Sequence, residues 1–383
     1  MMTSSFEQGP IRPPSEHKSL LIRVTRNCPW NKCAFCHSYR DAKFSLRPTA
    51  DVKQDIQAAG RIAEEIRTLS WQLGEGGRIT DRIANAIWQQ GGPHDDHYRS
   101  IAAWLYYGGE SVFLQDADSL ILKTEDLLEI LACLRETFPS VTRITTYCRS
   151  KTAARKSVEE FRQLRDAGLS RIHIGMESGY DPLLKLIRKG TTAAEHVKGG
   201  RRIVESGISL SEYVIPGLGG VRWSREHAEE TAGVINQINP HFVRLRSLHI
   251  VRDSALYDMM KNGAFTPLDD EAVLREIRLF IESLDGIETT LVSDHILNLM
   301  EELEGKLPQD KGKMLALIDR YFALPAQDRI IFRLGRRKGV YRRLADLDDQ
   351  LTYLRLKQAV DDYLSREPEQ LDKDLRRLMH SYI

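Results

Sequence analysis

The sequence predicts an α/β protein: a parallel (β/α) barrel, partial or full and TIM-like, with a helical insertion and a helical C-terminal appendage. Three observations carry this prediction. Between about residues 111 and 293, short apolar runs alternate with amphipathic stretches at strand–helix intervals, the pattern of parallel strands joined by crossover helices. Residues 51–104 show helical spacing with no intervening strand. Beyond about Asn298 the alternation stops and only helical patterns remain.

Taken in order, residues 1–17 form a polar, proline-bearing arm, and the barrel is expected over residues 18–295. Its first strand is the apolar run Leu20-Leu-Ile-Arg-Val24. Ala58, Ile62, Ile66 and Leu69 recur at helical spacing within the insertion of about 51–104, more chain than one crossover helix requires. Ser111–Leu114 reads as a short buried strand ending in Gln115-Asp-Ala-Asp118, followed by a helix over Glu125–Phe138. A strand over Arg143–Cys148, a helix over Lys156–Ala167 and a strand over Arg171–Ile174 come next. The chain then runs through Gly175-Met-Glu-Ser-Gly179, a helix over Ala193–Ser206, and a strand over Leu210–Ile215 that opens into Pro216-Gly-Leu-Gly-Gly220. Helix 224–238, strand 242–249, helix 270–284 and strand 288–293 complete the series, and residues 296–383 form the helical C-terminal region, with helices over 312–324 and 345–364. In such folds functional groups sit on loops at the carboxyl ends of strands.

Lysine and arginine total 55 against 54 acidic residues, so the net charge of +1 provides no global attraction to nucleic acid or anionic membrane. The amino terminus lacks the apolar core of a signal peptide, and no stretch has the length of a transmembrane helix. Five cysteines, three of them clustered, do not make a disulfide framework, and the expected compartment is the reducing cytoplasm.

The chemistry concentrates in Cys28-Pro-Trp-Asn-Lys-Cys33-Ala-Phe-Cys36, on the loop leaving the first strand. Three thiols within nine residues can converge on one soft metal centre. A structural zinc site is normally closed by four protein ligands, so three cysteines leave either a [4Fe–4S] cluster with one open iron or a zinc knuckle completed by His37. The loop resembles the cluster loop of the radical S-adenosylmethionine (radical SAM) superfamily, whose pattern is Cys-x3-Cys-x2-Cys with an aromatic before the last cysteine. Here Phe35 is that aromatic, while Pro29 to Lys32 lengthen the first gap to four residues.

The resemblance implies a set of roles. Cys28, Cys33 and Cys36 would ligate the cluster, with Phe35 shielding it. The family usually has Gly-Gly-Glu at the end of the second strand to receive the ammonium of S-adenosylmethionine. Gly108-Gly-Glu110 precedes the strand core here, so the role is assigned to Gln115, Asp116 and Asp118. Glu177 and Ser178 match the Glu-Ser-Gly motif of the Elp3-like and oxygen-independent coproporphyrinogen oxidase-like groups, with Arg188 or Lys189 near the cofactor carboxylate, or else in a surface ion pair. Gly217 and Gly219 resemble the adenine-contacting turn. Tyr147 is a candidate hydrogen-atom or electron relay or a packed rim tyrosine; His295 is a candidate proton donor or a hydrogen-bonded structural histidine. Arg149, Arg244, Arg246, His249, Asp294 and Asn298 would face substrate.

The implied activity is reductive cleavage of S-adenosylmethionine to a 5′-deoxyadenosyl radical that abstracts hydrogen from a substrate, read as a small molecule, with electrons from a flavodoxin- or ferredoxin-type donor. An RNA-modifying enzyme is the alternative, and its support in the sequence is the basic run Arg329 to Arg343, read instead as a solvated face balanced by Asp346-Leu-Asp-Asp349. A zinc-stabilised binding protein without redox chemistry is the third reading.

Overall fold

The computed structural model describes residues 5–89 and 95–365 together with 374, 375, 377 and 378. In chain order the elements begin with β1 (Leu20–Arg23), β2 (Thr25–Arg26), β3 (Ser45–Leu46), α1 (Thr49–Gln72), α2 (Asp81–Gln89) and α3 (Asp95–Tyr106). There follow β4 (Ser111–Gln115), α4 (Thr124–Thr137), β5 (Arg143–Cys148), α5 (Ser150–Ala153), α6 (Val158–Asp166), β6 (Leu169–Glu177), α7 (Asp181–Leu186) and α8 (Ala193–Ser206). The rest are β7 (Ser209–Val214), α9 (Gly220–Ile238), β8 (Phe242–Leu245), α10 (Ala255–Lys261), α11 (Asp270–Ser283), β9 (Thr290–Val292), β10 (Gly305–Lys306), α12 (Lys311–Ala323), α13 (Ala326–Arg337) and α14 (Gln350–Leu364). Eight strands form one sheet in the order β1-β4-β5-β6-β7-β8-β9-β10, and β2 pairs with β3 separately. The pairs β1–β4, β4–β5, β5–β6, β7–β8 and β8–β9 are parallel, while β10 runs antiparallel to β9. This is the mostly parallel α/β sheet that the alternation predicts.

The chain divides into two compact units. The first takes the residues up to 32, 36–175 and 198–210. Val112, Phe113 and Leu114 of β4 are all buried, as expected of a parallel strand covered on both faces. In α1, Val52, Ile56, Ala59, Ile62, Ala63 and Ile66 make a buried stripe at helical spacing. A capping box starts α6: Ser157 accepts from the Glu160 N–H and Glu160 accepts from the Ser157 N–H.

The arm expected over residues 1–17 is, from residue 5, bound to this unit. The Gly9 N–H donates to Gln115 Oε1 at 2.8 Å, and the Gln115 amide nitrogen donates to the carbonyls of Gly9 (3.0 Å) and Ile11 (2.7 Å). Glu7 pairs with Arg23 and Arg26 at 2.9 and 2.6 Å. Glu16 is fully buried against Arg143 and lies 3.1 Å from His173 Nε2.

The second unit takes residues 33–35, 176–197 and those from 211 onward. Here α9 packs on α11, and α11 on α12. The run of arginines departs from the sequence reading, because residues 326–337 form helix α13. Arg333, Arg336 and Arg337 are buried, neither a solvated face nor an RNA patch. Arg337 pairs with Asp270 and donates to the Leu297 carbonyl at 2.9 Å. Arg336 donates to the carbonyls of Leu299 (3.0 Å), Asn298 (2.9 Å) and Tyr341 (2.9 Å). These bonds tie α13 to the 296–299 turn and to the start of α11. The strand expected over 242–249 ends at Leu245, and Gly305–Lys306 adds a short strand to a region read as all helical. Among the described residues no helix is long and apolar enough to cross a membrane.

Candidate functional site

The cysteine loop leaves β2 through Asn27 and Asn31, whose φ values of 65° and 47° lie in the left-handed region that asparagine tolerates. In the first unit, the Asn31 N–H donates to Cys28 Sγ at 3.4 Å and its side chain donates to the Tyr39 carbonyl at 2.5 Å. The loop then passes through Cys33, Ala34 and Phe35, which belong to the second unit. There the Ala34 N–H donates to the Ile187 carbonyl at 2.8 Å and its carbonyl accepts from the Leu256 N–H at 2.9 Å. Ala34 is buried with Leu183, Leu184, Ile187, Leu218, Leu256 and Phe265, and Phe35 packs against this cluster. Within the second unit, these two backbone bonds hold the loop at Ala34, directly after Cys33.

None of the three loop cysteines forms a disulfide; Cys28 and Cys33 are half-buried and Cys36 is exposed. Among the described residues no three His, Cys, Asp or Glu side chains are gathered closely enough to hold a metal ion. The donor set nevertheless fits a thiophilic cluster: three sulfurs outside any disulfide sit on one short loop, and thiolate sulfur is the donor that soft iron–sulfur centres take.

The β4 end differs from expectation. Both groups of the Gln115 amide are engaged by Gly9 and Ile11, so Gln115, fully buried, holds the N-terminal segment. Asp116 Oδ2 accepts from Arg23 (2.8 Å) and from the Asn27 N–H (3.0 Å), and Oδ1 is buried without a partner. Asp118 accepts from the Arg149 N–H (3.2 Å) and the Thr152 hydroxyl (2.6 Å), which holds the turn into α5. Burial pushes the Asp118 carboxyl up to about 6 against those bonds. Of the three proposed acceptors, Asp116 alone keeps an oxygen unused. Gly108 and Gly109 precede β4, with Glu110 exposed at its amino end.

In the second unit, Glu177 closes β6 with φ 68° and receives the Lys189 ammonium at 2.8 Å. The same ammonium lies 5.9 Å above the Phe35 ring. Lys189 thus links the loop aromatic to the Glu-Ser-Gly motif, an ion pair rather than a solvent-facing charge. Ser178 is fully buried: its hydroxyl lies 2.9 Å from His227 Nδ1 and accepts from the Tyr180 N–H at 3.1 Å. Since His227 Nε2 lies 3.0 Å from the Ile215 carbonyl, Nε2 carries the proton and Nδ1 accepts from Ser178. Ser178 therefore braces β6 against α9 and is not open to a ligand.

Gly217 has φ 86° and donates its N–H to Glu276 Oε1 at 2.6 Å. A Cβ on Gly219 would meet the Trp223 carbonyl oxygen at 2.6 Å. Both glycines are demanded by the tight entry to α9.

Tyr147 packs edge-on against Phe113 and His173, with centroids 5.1 and 6.0 Å away, in the first unit. His295 follows β9 in the second unit, and its Nδ1 is buried without a partner. Burial, the nearby Arg246 and His249 push it down to about 4, against Asp294. Asn298 has its amide engaged: it donates to the Leu245 carbonyl and Ser293 Oγ at 2.9 Å each and accepts from the Ser247 N–H at 2.8 Å, locking the loops after β8 and β9. A cavity of about 550 Å³ lies beside these strand ends, lined in part by Gly217, Ser247, His249, Tyr257 and Asn298, a size suited to a small ligand or one nucleoside.

Sequence reasoning missed His227 and Glu212. His227 carries no motif and shows itself only through its partners. Glu212 is a fully buried carboxyl with both oxygens unpartnered among the described residues, and burial together with Glu177 pushes it well above the usual carboxylate range, against Lys189. An acid inside the buried strand Ser209–Val214 was the signal that could have found it.

Comparison with known proteins gives a consistent family. The Radical SAM superfamily matches residues 93–232, a span that does not include the cysteine loop. The chain is 24% identical over 269 residues to a tRNA uridine(34) acetyltransferase of Methanocaldococcus infernus, covering 65% of this chain and 46% of that protein. It is 26% identical over 237 residues to a tRNA-2-methylthio-N(6)-dimethylallyladenosine synthase of Hahella chejuensis, covering 61% and 43%. The chain thus spans about half the length of the curated relatives it matches. Among solved structures, an archaeal Elp3 of Methanocaldococcus infernus with an N-terminal deletion matches with a TM-score of 0.39 at 18% identity, covering 48% of each chain. The cobalamin-dependent S-adenosylmethionine radical enzyme OxsB matches with a TM-score of 0.45 at 12% identity, over 96% of this chain and 59% of the other.

Proposed function

Because the chain belongs to the radical SAM superfamily, whose enzymes use a [4Fe–4S] cluster and S-adenosylmethionine, we propose that it modifies a nucleoside of RNA by hydrogen abstraction. The observation that carries the chemistry is the loop of three cysteines outside any disulfide, held at Ala34 by two backbone hydrogen bonds. The shift from a small-molecule substrate to RNA rests on the relatives, whose names place their action on tRNA.

Cys28, Cys33 and Cys36 would hold the cluster through sulfur, leaving one iron for S-adenosylmethionine, which supplies the 5′-deoxyadenosyl radical when bound. Phe35, under Lys189, would lie beside the cluster as its aromatic neighbour. Glu177 keeps one oxygen free of hydrogen bonds beside Lys189, so the pair offers an acceptor and a cation to the polar groups of the cofactor. The Gly217 turn lets backbone approach a planar ring without a side chain intervening.

The test is anaerobic reconstitution with iron and sulfide, reduction, and electron paramagnetic resonance with and without S-adenosylmethionine. A [4Fe–4S]⁺ signal that changes on adding the cofactor, and release of 5′-deoxyadenosine that rises with RNA, support the reading. About one zinc per chain and no cluster would overturn it.

A further inference from the structure

We propose that Arg244, Arg246 and His295 form an anion site at the carboxyl ends of β8 and β9 that receives a phosphate group of the substrate. The proposal rests on the RNA reading above and names the part of the RNA that this face would hold.

The strand alternation builds the site. Tyr213 of β7 lies opposite Arg244 of β8, and Arg246 follows two residues later on the same face. Its guanidinium sits 5.0 Å from the Tyr213 ring centroid, a diagonal cross-strand contact. Neighbouring Val214 lines a small cleft with His227 and Glu276, so the face bearing Tyr213 and the two arginines is turned away from α9 and α11.

Charge is the second observation. Arg244 is only 7% exposed and pairs with Asp294 at 2.8 Å, yet its Nε is buried without a partner. Among the described residues no carboxylate pairs with Arg246. His295 Nδ1 is likewise buried and unpartnered. With His295 neutral, the two arginines and Asp294 leave one uncompensated positive charge, the complement of one phosphodiester. His249 adjoins His295 and also lines the 550 Å³ cavity, so a phosphate here would leave its nucleoside beside open space.

The test uses the full-length protein labelled with 13C-histidine, the His295 resonance being identified by its loss in His295→Asn. Inorganic phosphate is the first probe, followed by a mononucleotide, a dinucleoside phosphodiester and the unphosphorylated nucleoside. The expected result is that phosphate and both phosphorylated probes shift the His295 resonance and raise its midpoint by at least one pH unit, while the nucleoside does not. Arg246→Gln should weaken phosphate about tenfold, and Asp294→Asn, a change at an exposed position, should tighten it. Binding of a single-stranded RNA to Arg246→Gln should show a salt slope smaller by about 0.7, the loss of one phosphate contact. The phosphodiester shifting His295 more than the mononucleotide assigns the site to an RNA backbone; the reverse assigns it to a phosphomonoester. If phosphate leaves His295 unmoved and Arg246→Gln binds RNA with unchanged affinity and slope, the site is overturned while the RNA reading stands. If phosphate binds but no RNA does, the site stands and the RNA reading falls.

Discussion

Single side chains carry the clearest expectations. Replacing Cys28, Cys33 or Cys36 with serine should leave reconstituted protein with little bound iron and no cofactor-responsive resonance signal, measured by iron analysis and spectroscopy. Glu16 makes a separate prediction about acid stability. Burial alone would raise its carboxyl, but the hydrogen bond from His173 and the charge of Arg143 outweigh that and hold it at about 2, below its ordinary value of 4.5. A carboxyl lowered by folding contributes stability that is present above about pH 4.5 and lost as pH falls toward 2. Glu16→Gln should therefore cost about 3 kcal/mol near neutral pH, by leaving Arg143 and His173 without their anion, and should flatten the acid limb of the denaturation curve. The cysteine loop was readable because its spacing is local. The engagement of Gln115 was not, because its partner Gly9 lies 106 residues away and a side-chain amide carries no mark of what it will bind.

At the scale of elements, the sequence exposes what repeats and conceals what pairs once. The strands of the parallel sheet were legible because burial on both faces forces continuous apolar runs such as Val112-Phe-Leu114. Helix α13 was hidden by its own arginines, which read as solvated until Asp270, 67 residues away, is seen to receive Arg337. Its role makes a prediction: Arg337→Ala should lower stability by about 3 kcal/mol in chemical denaturation, since it removes a buried charge partner and frees the Leu297 carbonyl. Arg337→Lys should recover only part of that loss, because an ammonium cannot reach both acceptors as the guanidinium fork does. At the rim, the motif positions fell at strand ends as the alternation predicts, but Ser178 and Asn298 turned out to brace loops. A rim position reads the same in sequence whether its side chain faces a ligand or a neighbouring helix.

For the molecule as a whole, 55 basic and 54 acidic residues make a nearly neutral chain, and several of the arginines in its densest basic run are buried in ion pairs. Under the proposed RNA reading, binding should therefore depend only weakly on salt, with a log–log slope matching two or three phosphates, about −2, rather than the steep slope of a strongly basic protein. A filter-binding titration from low to physiological salt checks this. The pinned N-terminal segment also governs how the protein can be handled. Residues 5–17 wedge Glu7, Gly9 and Glu16 into the first unit, so they are poor ground for an affinity handle or a cleavage sequence. An insertion there should yield aggregates where the same insertion upstream of residue 5 yields native protein, and a protease target placed between Glu7 and Glu16 should stay uncut until the chain unfolds.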